Sequence, residues 1–389
     1  MDLTLSPDQS FFQETTRRFL EGEAPLTRVR ELADDPAGFD RGWWRRGAEL
    51  GWTAFLVPEE HGGGTLSGGR LADLAIVAEE FGRMVSPGPL HPTNIVAGAL
   101  AASATPEQRA EVLPGIVSGD LVAAWCFTEP GGGWRPSDVE LAAQRRGDGF
   151  VLTGTKAMVE AAGEADWFLV TARVNDGDGG LVQFLVPRDA RGLTVTPMRS
   201  LDLVRRFGRV RFDDVAVPGT ARVGDGDATA DVERQLQIGA TLECAQMAGA
   251  ADRVLEFTAA YALDRYSFGR QLASYQALKH RFADMKLWLE ATHATVSGAA
   301  QAVDGAVGGG NGTRAAGRLG GAGRLVSAAK VYVGDRVPEL VQDCVQIHGG
   351  IALTWEHDIH LYLRRVTLGR ALYGTPDDHR ERLAVAAGL

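Results

Sequence analysis

Apolar positions recur at helical spacing through the first 120 residues. Ser6 precedes Pro7 and stands three residues before Gln9, a capping box with proline at the first helical position, so a helix is expected to start there. Phe12, Thr16 and Phe19 follow along one face, and Leu71, Leu74, Ala78 and Phe81 repeat the pattern ahead of Gly82. Thr105-Pro106-Glu107-Gln108 is a second capping box. From about Leu121 the period changes to two, in runs beginning at Phe150, Trp167, Leu181 and Val210 and separated by Gly, Asp and Pro, which predicts an antiparallel sheet. From about Val232 the helical period returns in long segments, broken by a glycine-rich stretch from Gly305 to Gly323 that reads as a helix–helix connection. The layout is α+β: helices over 1–120, strands over 121–228 and helices over 229–389. Gly308, Gly310 and Gly312 alternate, but no strand precedes them, so they do not form a dinucleotide loop of the βαβ kind.

At 389 residues with 45% apolar and 23% charged content, the chain is long enough for two or three folded domains. Its net charge of −10 leaves no basic stripe for nucleic acid or an anionic membrane, and neither is expected as a partner. Met1-Asp2-Leu3-Thr4-Leu5-Ser6 has no basic, apolar leader pattern, and no later stretch approaches the roughly eighteen apolar residues of a membrane span, so the chain reads as cytoplasmic. Cys126, Cys244 and Cys344 are odd in number, far apart and without metal-ligand spacing. Reduced thiols are expected, with no disulfide and no metal, and the Asn311-Gly312-Thr313 glycosylation pattern is then incidental.

Five segments carry a resemblance. They are Gly51-Trp-Thr-Ala-Phe-Leu-Val-Pro-Glu-Glu-His-Gly-Gly63, Phe127-Thr128-Glu129-Pro130, the run from Leu152 to Asp166, Arg265-Tyr-Ser-Phe268-Gly269 continuing to Gln276, and Gln346-Ile-His-Gly349-Gly350 with Glu356 and Arg364. In order and spacing they resemble the acyl-CoA dehydrogenase family. The resemblance implies an N-terminal helical domain, a middle β-domain, a C-terminal four-helix bundle, and FAD at the interface of a dimer or tetramer, homo- or hetero-oligomeric. It also implies an acyl-CoA substrate and an electron-transfer flavoprotein as partner. Arg265 would clamp the doubly negative pyrophosphate, with Phe268 and Gln276 beside it, although by itself such an arginine would usually be a surface ion-pair residue. Gln346, Gly349 and Gly350 would let backbone approach the FAD of a neighbouring subunit, or simply cap a helix. Thr128 and Thr375 would place hydroxyls along the flavin, or serve as turn threonines.

The sequence departs from the family where the chemistry is done. A dehydrogenase of this kind needs a carboxylate to take the α-proton while the β-hydrogen leaves as hydride. The glutamate usual before a glycine-threonine pair is replaced by Tyr373, ahead of Gly374-Thr375, and the alternative position early in the first bundle helix holds Gly239, followed by Ala240. After Lys156, the expected tryptophan and threonine beside the flavin ring are Met158 and Glu160, and Glu160 would set a negative charge against reduced flavin. The turn after Pro130 is longer than usual. Met158, Gly239 and Ala240 hint at room for a large acyl group. Three explanations stay open. One is a relocated base, for which Glu243, one turn after Gly239, is the candidate unless it is a buried carboxylate bonded to a neighbouring helix. Another is a base-lacking partner subunit of a heteromeric dehydrogenase like those of actinobacterial sterol degradation, in keeping with the stretch from Trp355 to Arg365. The third is a flavin monooxygenase or other biosynthetic relative on the same fold.

Overall fold

Both capping boxes form, because each serine or threonine hydroxyl accepts from the backbone three residues on while the glutamine side chain closes back. The computed structural model describes residues 4–174, 180–308 and 320–389. Residues 309–319, with Gly310, Gly312 and the Asn311 pattern, lie outside the described residues, as do Met1, Asp2 and Leu3. Six helices come first: α1 (Pro7–Glu23), α2 (Leu26–Glu31), α3 (Arg41–Glu49), α4 (Arg70–Arg83), α5 (Leu90–Ser103) and α6 (Pro106–Val117). Eight strands follow: β1 (Ala123–Cys126), β2 (Ala142–Arg146), β3 (Gly149–Glu160), β4 (Trp167–Val174), β5 (Leu181–Pro187), β6 (Leu193–Met198), β7 (Phe207–Pro218) and β8 (Arg222–Val223). The chain ends with α7 (Thr229–Asp264), a hairpin of β9 (Tyr266–Ser267) and β10 (Arg270–Gln271), α8 (Gln276–Gly308), α9 (Gly321–His348), α10 (Ile359–Ala371) and α11 (Pro376–Ala387). None of the described helices is long and apolar enough to cross a membrane. Cys126, Cys244 and Cys344 are buried free thiols.

Contacts divide the chain into two units. The first comprises Met1–Arg30, Leu71–Ser86 and Ala240–Leu389; the second comprises Glu31–Arg70 and Pro87–Gly239.

In the second unit the strands pair in the order β6-β7-β3-β2-β4-β5-β8, with β1 beside β4. The expected antiparallel sheet is in fact mixed: β1 and β2 each pair with β4 in parallel. Turn signals fix hairpins between neighbouring runs, but β4 is far from β1 and β2 in sequence and can meet them in either direction. Phe150, Phe168, Phe184 and Phe212 fill the core. The outer face of β5 is buried too, because Gln183 exchanges two amide hydrogen bonds with Gln235 at 2.7 and 2.8 Å, so this strand does not alternate.

The first unit is helical, and its tightest contact is between α4 and α7. A Cβ added at Gly82 would lie 1.8 Å from the Gln246 carbonyl oxygen, and one at Gly249 would lie 1.9 Å from that of Glu79. Only glycine lets two helix backbones meet so closely. Charged pairs flank the crossing: Arg17 with Glu80 at 2.7 Å, and Arg83 with Asp252 and Glu256 at 2.8 and 2.7 Å. Asp304 on α8 accepts from the Leu71 and Ala72 amides, which caps the start of α4. The buried Arg365 of α10 donates to the Val85 and Ser86 carbonyls just beyond α4.

Candidate functional site

The second unit gathers Thr128, Met158 and Glu160 around an irregularity in β3. Pairing with β7 slips between Lys156 and Val159, a β-bulge that leaves the Ala157 backbone without its ladder partner. Thr128 takes over: its hydroxyl donates to the Ala157 carbonyl at 2.6 Å and its own carbonyl accepts from the Ala157 amide at 2.8 Å. Met158 is forced to a left-handed φ of 52° and turns outward, exposed. Lys156, fully buried, donates to the Phe127 carbonyl and to Glu129 at 2.8 and 2.7 Å. Burial pulls its ammonium below the usual lysine range, and Glu129 opposes that pull. Glu129 also accepts from the Glu140 and Leu141 amides, so the threonine-glutamate-proline turn is pinned to the strand it faces. The longer glycine turn beyond Pro130 brings Trp134 to stack on Phe127, with ring centroids 6.0 Å apart.

Glu160 does not stand as a lone charge. Arg205 donates to both of its carboxylate oxygens, at 2.7 and 2.8 Å. Arg205 is held in turn by Asp202, whose carboxylate accepts from the Val204 and Arg205 amides at 2.9 Å each. The negative charge expected from Glu160 is therefore met inside the protein. Sequence reading missed Arg205, because one arginine in an Arg-Arg pair ahead of a strand carries no signal of its partner.

The first unit holds the remaining residues. Arg265 follows the last residue of α7, and Phe268 and Gly269, at φ 51° and 80°, make the tight turn of the β9–β10 hairpin. Phe268 is 97% exposed, and Arg265 and Gln276, the first residue of α8, are exposed with it. Gln346, Gly349 and Gly350 close α9 with their own surfaces open, and a Cβ added at Gly269, Gly349 or Gly350 would meet nothing within 4 Å among the described residues. The two helix ends are tied together: Tyr261 stacks on His348 at 4.3 Å, one turn before Arg265 on α7 and one residue before Gly349 on α9. His348 binds Thr258 through Nε2, and its buried Nδ1 has no partner among the described residues. A guanidinium, two primary amides and unobstructed glycine backbone are a donor set suited to a pyrophosphate-bearing dinucleotide.

The base positions are all enclosed. Gly239 and Ala240 are buried in α7. Glu243 is fully buried against α10, where a Cβ added at Gly369 would lie 2.4 Å from its Oε1. Lys330 donates to the Gly369 carbonyl at 2.6 Å. Burial pushes the nearby Cys244 thiol up to about 12, with Lys330 pulling it down and Glu243 pushing it further, so both charges act at one place in the bundle. Tyr373 and Gly374 form a left-handed turn between α10 and α11, at φ 59° and 101°, and His379 donates to the Tyr373 carbonyl at 3.0 Å. Thr375 caps α11 in a box with Asp378, which occupies its hydroxyl. A cavity of about 810 Å³ in the second unit, lined by Trp167, Leu185, Gly192 and Asp213, contains none of the residues expected from sequence.

Comparison with known proteins covers almost the whole chain. The profiles for the acyl-CoA dehydrogenase N-terminal, middle and C-terminal domains match residues 6–120, 124–215 and 229–388. The chain is 31% identical over 381 residues to the acyl-CoA dehydrogenase IpdE2 of Mycolicibacterium smegmatis, covering 97% of this chain and 98% of that one. Among solved structures, a variant of the steroid ACAD Tcur3481-Tcur3483 is 28% identical with a TM-score of 0.84 over 99% of both chains. The FAD complex of PigA is 25% identical with a TM-score of 0.87 over 100% of both. With the helix–sheet–helix order, the pinned threonine-glutamate-proline turn and the open arginine-phenylalanine-glycine hairpin all in place, the chain belongs to the acyl-CoA dehydrogenase family.

Proposed function

We propose that this chain binds FAD and serves the α,β-dehydrogenation of an acyl-CoA thioester, with electrons passing to an electron-transfer flavoprotein. The observation that carries this reading is the open array on the first unit. Arg265, Gln276, Gln346, Gly349 and Gly350 are all exposed, and Phe268 stands 97% in solvent. An aromatic ring so exposed on a hairpin tip is a contact waiting for cover, which suits a cofactor held between copies or partner subunits. Arg265 would pair with the pyrophosphate, and Gln276 and Gln346 would supply amide hydrogen bonds. FAD, when bound, supplies the acceptor for the hydride leaving the β-carbon. On the second unit, Thr128, Met158 and Glu160, at the bulge of β3, would be flavin-ring contacts.

The α-proton needs a separate acceptor, and this is where a second reading gains support. Glu243 lies in the bundle interior against Gly369 with Lys330 close by, a setting that favours a structural carboxylate. Tyr373 and Gly239 offer no carboxylate at the two usual positions. This favours a chain that contributes flavin contacts and wall to a heteromeric dehydrogenase whose base stands on a sister subunit. The similarity to the steroid ACAD Tcur3481-Tcur3483 is in keeping with a bulky acyl group.

Exchange of the α-proton of an acyl-CoA into deuterated water tests both points. The second reading expects no exchange from this chain alone and exchange once a sister dehydrogenase chain is co-purified. Exchange by the chain alone that disappears in Glu243→Gln would assign the base to Glu243 and remove the need for a sister. Absence of exchange in every combination would contradict the proposed function.

A further inference from the structure

A buried ion pair at the end of β3 has no adequate explanation in stability. Glu160 and Arg205 keep 8% and 2% of their side-chain surface in contact with water. Stripping water from two opposite charges is costly, and an apolar pair of similar size at such a place is commonly as stable or more so. Here the pair is also over-determined. Asp202 fixes the Arg205 backbone, the guanidinium lies over the Phe207 ring at 5.9 Å, and Ala161 donates its amide to the Arg206 carbonyl at 2.8 Å. Met158 and Ala161 flank the glutamate in left-handed conformations, at φ 52° and 58°, which side chains with a Cβ seldom adopt. Local backbone strain of this kind concentrates where geometry serves a ligand.

We propose that Arg205 is a positioning residue which fixes Glu160 as one half of a net-neutral pair at the flavin face of β3, and that this pair sets the reduction potential of the bound flavin. The proposal rests on the reading that FAD binds this chain with Glu160 at its ring. An uncompensated carboxylate there would oppose the negative charge that reduction adds, and an uncompensated guanidinium would favour it. The pair cancels the two and leaves the ring in a polar but neutral surrounding. Glu160 can then occupy a ring-contact position without making the flavin harder to reduce, and Arg205 fixes the direction in which its carboxylate points.

Equilibrium redox titration of the FAD-reconstituted chain tests this without any turnover. In alkaline buffer, where a lone carboxylate stays ionised, Arg205→Gln is expected to lower the flavin midpoint potential and Glu160→Gln to raise it. The double variant should return toward the wild-type value, and Arg205→Lys should keep that value while unfolding more readily. A purely structural pair would lower stability in the single variants and move the potential in none of them, which would overturn the proposal. If wild-type protein takes up no FAD on reconstitution, the flavin reading itself fails, an outcome distinct from uptake with unmoved potentials.

Discussion

Arg205 donates from Nε and Nη2 to the two carboxylate oxygens of Glu160, and the pair is nearly sealed from water. Removing one partner strands the other charge in the interior. Arg205→Leu is expected to cost about 3–5 kcal/mol in chemical denaturation. The double change Glu160→Leu/Arg205→Leu should recover most of that loss, because no charge is then left unpaired.

The crossing of α4 and α7 makes a sharper demand on sequence. Gly82→Ala would drive a methyl into the Gln246 carbonyl and Gly249→Ala one into that of Glu79, both backbone atoms that cannot swing aside. Each is expected to cost about 3 kcal/mol or more, at or above the upper end of ordinary overpacking. Gly305→Ala is the control: among the described residues nothing lies within 4 Å of its added Cβ and it sits inside α8, so it should stabilise by about 0.5–1 kcal/mol. Thermal unfolding of the three variants measures the contrast.

His379 gives the fold a predictable response to acid. Nε2 donates to the Tyr373 carbonyl, so Nδ1 is the acceptor facing the Ser327 hydroxyl, and the ring is neutral. Burial pushes its pKa from 6.5 down to about 4, against a smaller upward pull from the Tyr373 carbonyl. The unfolded chain therefore binds a proton that the folded chain refuses between those two values. Stability should fall as pH drops from about 6.5 toward about 4, by up to about 1.4 kcal/mol per pH unit for this one group. His348, held near 4 by burial and by His357, adds a second contribution of the same sign. His379→Gln should flatten the slope by about one proton's worth in unfolding free energy measured against pH.

On the proposed reading Arg265, exposed just beyond α7, would bear on cofactor affinity rather than on folding. Losing a charge-assisted contact to a pyrophosphate is worth about 1.5–3 kcal/mol. Arg265→Ala should weaken FAD binding by roughly 10- to 100-fold by fluorescence titration, with the unfolding midpoint of the FAD-free protein unchanged.

Local rules made much of this molecule legible. Ser6 with Gln9 and Thr105 with Gln108 announced two helix starts because a capping box is complete within four residues. The run at Val210 became an alternating strand and the run at Phe150 a partly alternating one, while those at Trp167 and Leu181 became strands buried on both faces, which a short apolar run between turn residues also signals. What stayed hidden depends on partners far along the chain. The parallel pairing of β1 and β2 with β4 is fixed by the assembled sheet. The neutralisation of Glu160 needs Arg205, and the enclosure of Glu243 needs Gly369, whose missing side chain makes the room. The same holds for the site: motif residues could be numbered from the sequence, while the electrostatic surroundings that decide their use required the fold.

The visible spectrum of the FAD-reconstituted chain, followed during anaerobic addition of acyl-CoAs with and without a sister dehydrogenase chain, tests the central claim most directly. The account predicts a yellow protein whose flavin band persists when this chain is alone and bleaches with a bulky acyl-CoA once the sister is present. A chain that stays colourless after reconstitution, or a flavin that no acyl-CoA bleaches in either state, would contradict it.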